Sequence, residues 1–497
     1  MSSYAGLDPV VVKLIVHLNE FLQFPESTVP QSKLISSAEL KLKIDSSLYE
    51  NDETAKNVLP VCLSILRSEA IGDNEEIKLD TIKIMDSILY HYSFEQIINL
   101  FFNLQVLEEG LNIGNNSLRI LITKIIKKSS PSDLIANTIF LHKLIELLNS
   151  DEISIGLTNE IEKTVIKLCQ DGELIRRRLV SQEILTLLFK LRTNYKLLPR
   201  LLDLLAGIIP TFQENLIELP KELYIIPLDE FNKLAQDDVL LITYIISFYT
   251  KLISILNELN KSQRDLILNN IKSEQLKYIT EIYTDDEYLS NNKHFFKFEP
   301  VELLIALSYN SIETFKEMNK NNLILSKMID EYKFREESLV LISNINPSLL
   351  MSSNDFIINL RLNSKTIMIY NNLISTRETF NKLIELNNDI KDFKIINFKL
   401  DTETFMKLIL FLSNFNYSTE FLINNLSNCL NKLIDDFNSN NILNKEIWNL
   451  KLKILDNLLF KNSDLINVWE PKLKGEYNLM VKGSEFESKI DVATMTS

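Results

Sequence analysis

The chain has 497 residues, a formal net charge of −14 and a pI near 5.1, with only 9 glycines and 12 prolines. Average usage of these two is roughly 7% and 5%, so the turn punctuation of sheet folds and the glycine turns of doubly wound folds are scarce, and an all-helical chain is predicted. The acidic balance argues against a phosphate-backbone partner, whose binding surface is basic, and Cys62, Cys169 and Cys429 lie too far apart to suggest a disulfide framework or a metal site.

Met1 to Tyr4 begins no basic segment followed by a short apolar core, so no secretory leader is expected. Apolar periodicity predicts helices over 8–24, ended by Pro25, and then over 33–48, 54–68 and 75–91. Pro60 is placed early in the third of these, where a missing N–H is tolerated. Ser93-Phe94-Glu95-Gln96 reads as a capping box that opens a helix to Leu107. Leu118, Leu121, Ile122 and Ile125 share one face of 116–128, and Ser130-Pro131-Ser132-Asp133 carries an N-cap, a first-turn proline and an early acid.

Ile161, Val165, Leu168 and Cys169 define another helix. After it come a polar turn at Asp171-Gly172, a short helix bearing Arg176, Arg177 and Arg178, and a longer helix from Gln182 to Asn194. Residues 141–148 align with 184–191 at an offset of 43, within the roughly 40–47 of armadillo and HEAT units. Further helices are predicted over 195–212, broken or kinked at Pro199 or Pro210, and over 228–235, 237–258 and 261–283. Residues 291–300 form a polar and aromatic connector, short helices recur to 387, and 388–399 is irregular. Helices over 402–413, 418–436, 444–461 and 463–481 close the array. The expected organisation is an α-solenoid with an N-terminal part at 1–290, a C-terminal part at 291–482 and a disordered tail at 483–497. Chain length over the period gives roughly eleven helix pairs. The apolar run 239–256 is interrupted by Thr243, Tyr244, Ser247, Tyr249, Thr250 and Lys251, and so reads as a buried solenoid helix rather than a bilayer span. Asn115-Asn116-Ser117 and Asn416-Tyr417-Ser418 match the glycosylation pattern by chance on this reading.

No phosphate loop, dinucleotide fingerprint, nucleophile elbow or zincin motif occurs. His17, His91, His142 and His294 are dispersed, and Asp237-Asp238, Asp285-Asp286-Glu287 and Asp435-Asp436 read as helix-end or solvated charges. The expectation is a protein that is not an enzyme and takes no cofactor or metal. The arginine triplet has two readings: a tie between neighbouring repeats, or a partner contact, since guanidinium groups bind carboxylates in a forked geometry. If Gln182 to Asn194 lines the concave groove of the array, Gln182, Glu183, Thr186 and Lys190 face a partner. Tyr249 and Lys251, late in a long helix, are core or groove lining.

Gly172-Glu173-Leu174-Ile175-Arg176-Arg177-Arg178-Leu179 resembles the fungal HEAT-repeat chaperones of the proteasome regulatory particle. Their budding-yeast member was first named for mismatch repair, and their animal counterpart is proteasome non-ATPase regulatory subunit 5. Phe248-Tyr249-Thr250-Lys251, Tyr417-Ser418-Thr419-Glu420-Phe421-Leu422 and Val468-Trp469-Glu470-Pro471-Lys472-Leu473, with Glu476-Tyr477 just after, agree in order. The resemblance implies a C-shaped solenoid, monomeric when free. It also implies binding to the C-terminal domain of a regulatory-particle ATPase subunit, help in assembling the base, and hindrance of premature docking to the core particle. A cytoplasmic location is expected, with nuclear entry left open, and neither nucleic acid nor membrane as partner. The competing reading is a general armadillo or HEAT scaffold in transport, signalling or DNA repair.

Overall fold

The computed structural model describes residues 6–25, 28, 31–68, 74–285, 295, 297–393, 400–437 and 444–482. The 291–300 connector, the 388–399 stretch and the acidic run at Asp285 fall partly outside these residues; His294 and the tail from 483 fall wholly outside. Every regular element among the described residues is helical. The chain forms two compact units, 1–275 and 276–497.

Within 1–275, local chemistry starts several of the helices. Asn74, Asn115 and Ser154 each accept the backbone N–H three residues on and so begin Glu75–Leu89, Asn116–Lys127 and Ile155–Asp171. Asn115 of the first glycosylation-like triplet is thus an N-cap. The capping box at Ser93 and Gln96 is formed in both directions. Leu157, Ile161, Val165 and Leu168 are buried at helical spacing along Ile155–Asp171. Pro60 lies in the interior of Glu53–Arg67 rather than in its first turn. Pro60 and Lys56, four residues earlier, are both exposed, so water can reach the carbonyl that proline leaves unbonded. Leu198–Ile208 ends before the single turn that holds Pro210.

The helices stack in two layers. Ser32–Ile44, Glu75–Leu89, Asn116–Lys127, Ile155–Asp171, Leu198–Ile208 and Val239–Ser254 pack in sequence as one layer. Pro9–Gln23 against Glu53–Arg67, and Phe140–Leu148 against Gln182–Thr193, belong to the other. The 43-residue alignment therefore joins equivalent helices of adjacent repeats. Hydrogen bonds cross at the same period: Thr164 Oγ1 donates to the Thr123 carbonyl, 41 residues away, and Asn149 Nδ2 to that of Leu187, 38 away. The stretch Val239–Glu258 is long and apolar enough to cross a membrane; half of its apolar window is buried in this unit.

Within 276–497 the layering repeats. Glu299–Asn310, Glu336–Asn344, Ile367–Ile374, Thr402–Leu412 and Lys445–Asp456 pack in succession. Here buried asparagines close helix ends. Asn372 Nδ2 donates to the carbonyls of Ile342 and Ile345, and Asn387 Nδ2 to those of Ile357 and Leu360, both at sequence separations of 30 and 27. Each pair supplies donors to carbonyls that a helix C-terminus leaves without partners.

Candidate functional site

The polar turn before the arginines is shaped by a residue one repeat earlier. Asp133 Oδ1 accepts the backbone N–H groups of Leu174 (2.9 Å) and Ile175 (3.2 Å), capping Glu173–Leu179 from 41 and 42 residues away. The acid expected in the first turn of its own helix therefore caps another. A Cβ on Gly172 would stand 2.6 Å from that carboxylate oxygen and 3.0 Å from the Leu168 carbonyl, so glycine is required by close approach.

The three arginines then separate. Arg176 Nη1 donates to the Cys169 carbonyl at 2.5 Å and to that of Gln170 at 3.3 Å, closing the end of Ile155–Asp171. Its role is structural. Arg178 pairs with Glu183 at 2.5 Å, and Glu183 also meets His142 Nε2 at 3.5 Å, across to the preceding repeat. Arg177 is exposed and pairs with Glu173 on its own helix at 2.6 Å. Gln182, Glu183, Thr186 and Lys190 are exposed on one face, with Thr186 Oγ1 donating to the Gln182 carbonyl. Their helix, however, packs beside Phe140–Leu148, in the layer that does not line the groove described next. These four side chains therefore lie in the layer away from that groove. For Tyr249 the groove-lining reading is corrected: it is 0% exposed, and its hydroxyl donates to the Tyr224 carbonyl at 2.6 Å. Lys251 is exposed and pairs with Asp203 at 2.7 Å.

A groove of about 550 Å³ opens on the other layer, between Ser32–Ile44, Glu75–Leu89, Asn116–Lys127 and Ile155–Asp171. Six lysines line it, Lys43, Lys83, Lys124, Lys127, Lys128 and Lys167, against three carboxylates, Glu39, Asp86 and Glu160. Lys124 pairs with Asp86 at 2.6 Å and Lys127 with Glu160 at 3.3 Å. Lys128 Nζ donates to the carbonyls of Leu89, Tyr90 and Tyr92, and burial lowers its pKa. Farther along the same layer, burial pushes the Glu162 carboxyl up to about 7, with Asp203 adding to the rise and Arg200, Lys251 and Lys163 opposing it.

Sequence reading missed this groove, yet its signal is present. Lys43, Lys83, Lys124 and Lys167 recur at intervals of 40, 41 and 43, the repeat period itself. It also missed a buried arginine that joins repeats. Arg192, 8% exposed, binds Glu230 through two parallel bonds of 2.7 and 2.8 Å, 38 residues apart. That hydrogen bond holds the Glu230 carboxyl below the usual range; burial pushes Arg192 down, and the Glu230 interactions outweigh it. Among the described residues no group of three or more His, Cys, Asp or Glu could hold a metal ion.

Residues 13–254 match the family described as DNA mismatch repair protein HSM3, N terminal domain, and residues 264–497 match its C terminal domain. The chain belongs to the HSM3 family. The HSM3 protein of Debaryomyces hansenii is 27% identical over 489 residues, covering 93% of each chain, and that of Candida albicans is 29% identical over 455 residues, covering 87% of each. A chain in the solved structure describing Kap95p binding to RanGDP gives a TM-score of 0.46 at 11% identity; the match covers 94% of this chain and 57% of that one. The stretches that carried the resemblance to this family are mostly structural. Phe248 and Tyr249 are core. Tyr417 donates to the Ile374 carbonyl, and Ser418 to that of Leu412, so the second glycosylation-like triplet is part of a repeat joint. Leu473 and Glu476 of the HSM3 C-terminal domain are buried.

Proposed function

We propose that this chain is a proteasome assembly chaperone. It holds the C-terminal domain of one regulatory-particle ATPase subunit, assists assembly of the base and hinders premature docking to the core particle. It acts as a monomer, without cofactor or chemistry of its own, in the cytoplasm, with nuclear entry left open. The observation that carries the reading is the two-layer stack, tied at the repeat period, within each of the two units. Such an array offers a long continuous surface suited to a folded protein domain. The choice of ATPase partner rests on the family resemblance.

A second reading, contact with DNA, draws on the mismatch-repair name of the family and on the six groove lysines. Against it stand the net charge of −14 and the three carboxylates in the same groove. One experiment separates the two: retention of each proteasomal ATPase C-terminal domain, and of duplex DNA, by the purified chain at physiological ionic strength. Retention of one ATPase domain without DNA is expected. Retention of DNA alone would replace the chaperone reading. Within that reading Arg177, exposed and paired with Glu173 on its own helix, is the member of the triplet placed to exchange that partner for a carboxylate of the ATPase domain. Arg177→Glu should weaken ATPase-domain binding at least tenfold, about 1.4 kcal/mol, with the melting curve unmoved. Earlier melting with normal binding would make the triplet wholly structural.

A further inference from the structure

The lysine-lined groove of the 1–275 unit has a chemistry that ATPase docking does not require. Leu89, Leu121 and Ile125 form an apolar floor, and Tyr90, 67% exposed, stands at its edge with Lys128 Nζ 5.8 Å from the ring centre. Four of the six lysines are engaged: Lys83 with Asp80, Lys124 with Asp86, Lys127 with Glu160, and Lys128 with three carbonyls. Lys43 and Lys167 are exposed and have no hydrogen-bonding or ionic partner among the described residues. Together with Lys83 and Lys124 they make a ladder, one lysine per repeat, along four successive helices of one layer.

We infer that this groove seats a linear, carboxylate-rich segment of a protein partner, one that also carries an apolar side chain. A chain of net charge −14 repels acidic partners in general, so a local cationic groove selects where an acidic segment lands. Packed helices lie about 8–10 Å apart, and an extended chain advances about 3.3 Å per residue. Acids at every third position of an extended segment therefore keep step with the ladder, and an apolar residue between them reaches Leu121 and Ile125. The carboxylates already in the groove leave it mixed in sign, which suits separated carboxylates better than a phosphate at every nucleotide. The inference stands whether or not the principal partner is an ATPase domain.

The test uses the full chain and a fluorescein-labelled peptide with Glu at every third position and Leu between. A Gln version and a single-stranded oligonucleotide serve as comparison probes, and all are read by fluorescence anisotropy. The Glu peptide should bind and the Gln peptide should not. Binding should fall between about 0.1 M and about 1 M salt, as the Debye length shrinks from roughly 10 Å to roughly 3 Å. The double variant Lys43→Glu, Lys167→Glu should weaken it by about tenfold or more through lost charge complementarity. Lys365→Glu, an exposed position in the other unit, should leave it unchanged. Neither Lys43 nor Lys167 is buried, so the fold should survive, and an unchanged melting curve checks this. The proposal is overturned if the Glu peptide does not bind at low salt or if the double variant binds it as the parent does. Tighter, Lys43- and Lys167-dependent binding of the oligonucleotide would overturn it as well.

Discussion

Lys451 and Glu476 make a sharp test of the C-terminal unit. Their side chains are 0% and 7% exposed and meet at 2.5 Å, and Lys451 Nζ also donates to the Phe437 carbonyl at 2.5 Å. Burial lowers the lysine pKa, and Glu476 works against that. Replacing Lys451 with Met keeps most of the stem volume but removes the ammonium that a buried carboxylate and a carbonyl share. Removing one partner of a buried pair costs about 3–5 kcal/mol. The lost carbonyl bond accounts for about 1 kcal/mol more. Replacing both, as in Lys451→Met with Glu476→Leu, removes the desolvation of both charges and should lie within about 2 kcal/mol of the parent. The assay is urea unfolding followed by far-ultraviolet circular dichroism, comparing the midpoint and slope of the transition that the single variant shifts. Two units in one chain need not unfold as one step, so the shifted phase is the one compared. A single variant within about 1 kcal/mol of the parent, or a double variant as unstable as the single, would refute the reasoning.

Three further outcomes are expected. The Glu162 carboxyl titrates near 7 in the folded chain against an ordinary value of 4.5, so the folded state holds the extra proton between these values, and stability should fall as pH rises through that window. Glu162→Gln should flatten this slope, and its melting temperature should exceed the parent's at pH 8 more than at pH 5; equal differences at both would count against it. Gly172→Ala forces a Cβ against Asp133 Oδ1 and the Leu168 carbonyl, so it should destabilise by about 1–3 kcal/mol, read as an earlier melt. Cys62, Cys169 and Cys429 are all buried, and burial pushes the Cys62 thiol up to about 12. An aromatic disulfide reagent should label none of them until the chain unfolds; rapid labelling of the native protein would contradict their placement.

Helix positions were legible because apolar residues recur at helical spacing and the caps have few chemical solutions, as at Ser93 with Gln96. The repeat period was legible in 141–148 against 184–191. Which helix of each pair faces the groove was not, because both are amphipathic and both carry charge on their outer side. That ambiguity drew the reading to Gln182–Thr193, whereas the lysine groove opens on the other layer. Tyr249 was recoverable: Ile242, Ile245, Ile246, Leu252 and Ile253 share its buried face, but the neighbouring Thr250 and Lys251 drew attention outward. Arg192 and Glu230 could not be paired from local sequence, since each is an ordinary charged residue until the 38-residue step brings them together. The lysine ladder was hidden for a similar reason, as a period visible only when repeats are laid over one another.

The ties across repeats in the 1–275 unit have a mechanical consequence. Thr164 to Thr123, Asn149 to Leu187 and Arg192 to Glu230 each span close to one period and none spans two. Under tension applied at its ends, such a stack has nothing to hold distant repeats together once an intervening joint fails. It should therefore peel from a free end like a roll of tape, each event releasing one repeat of about 40 residues, or roughly 140 Å of extended chain. A partner clamped across several repeats would join what the chain leaves separate, and merge those small rips into one.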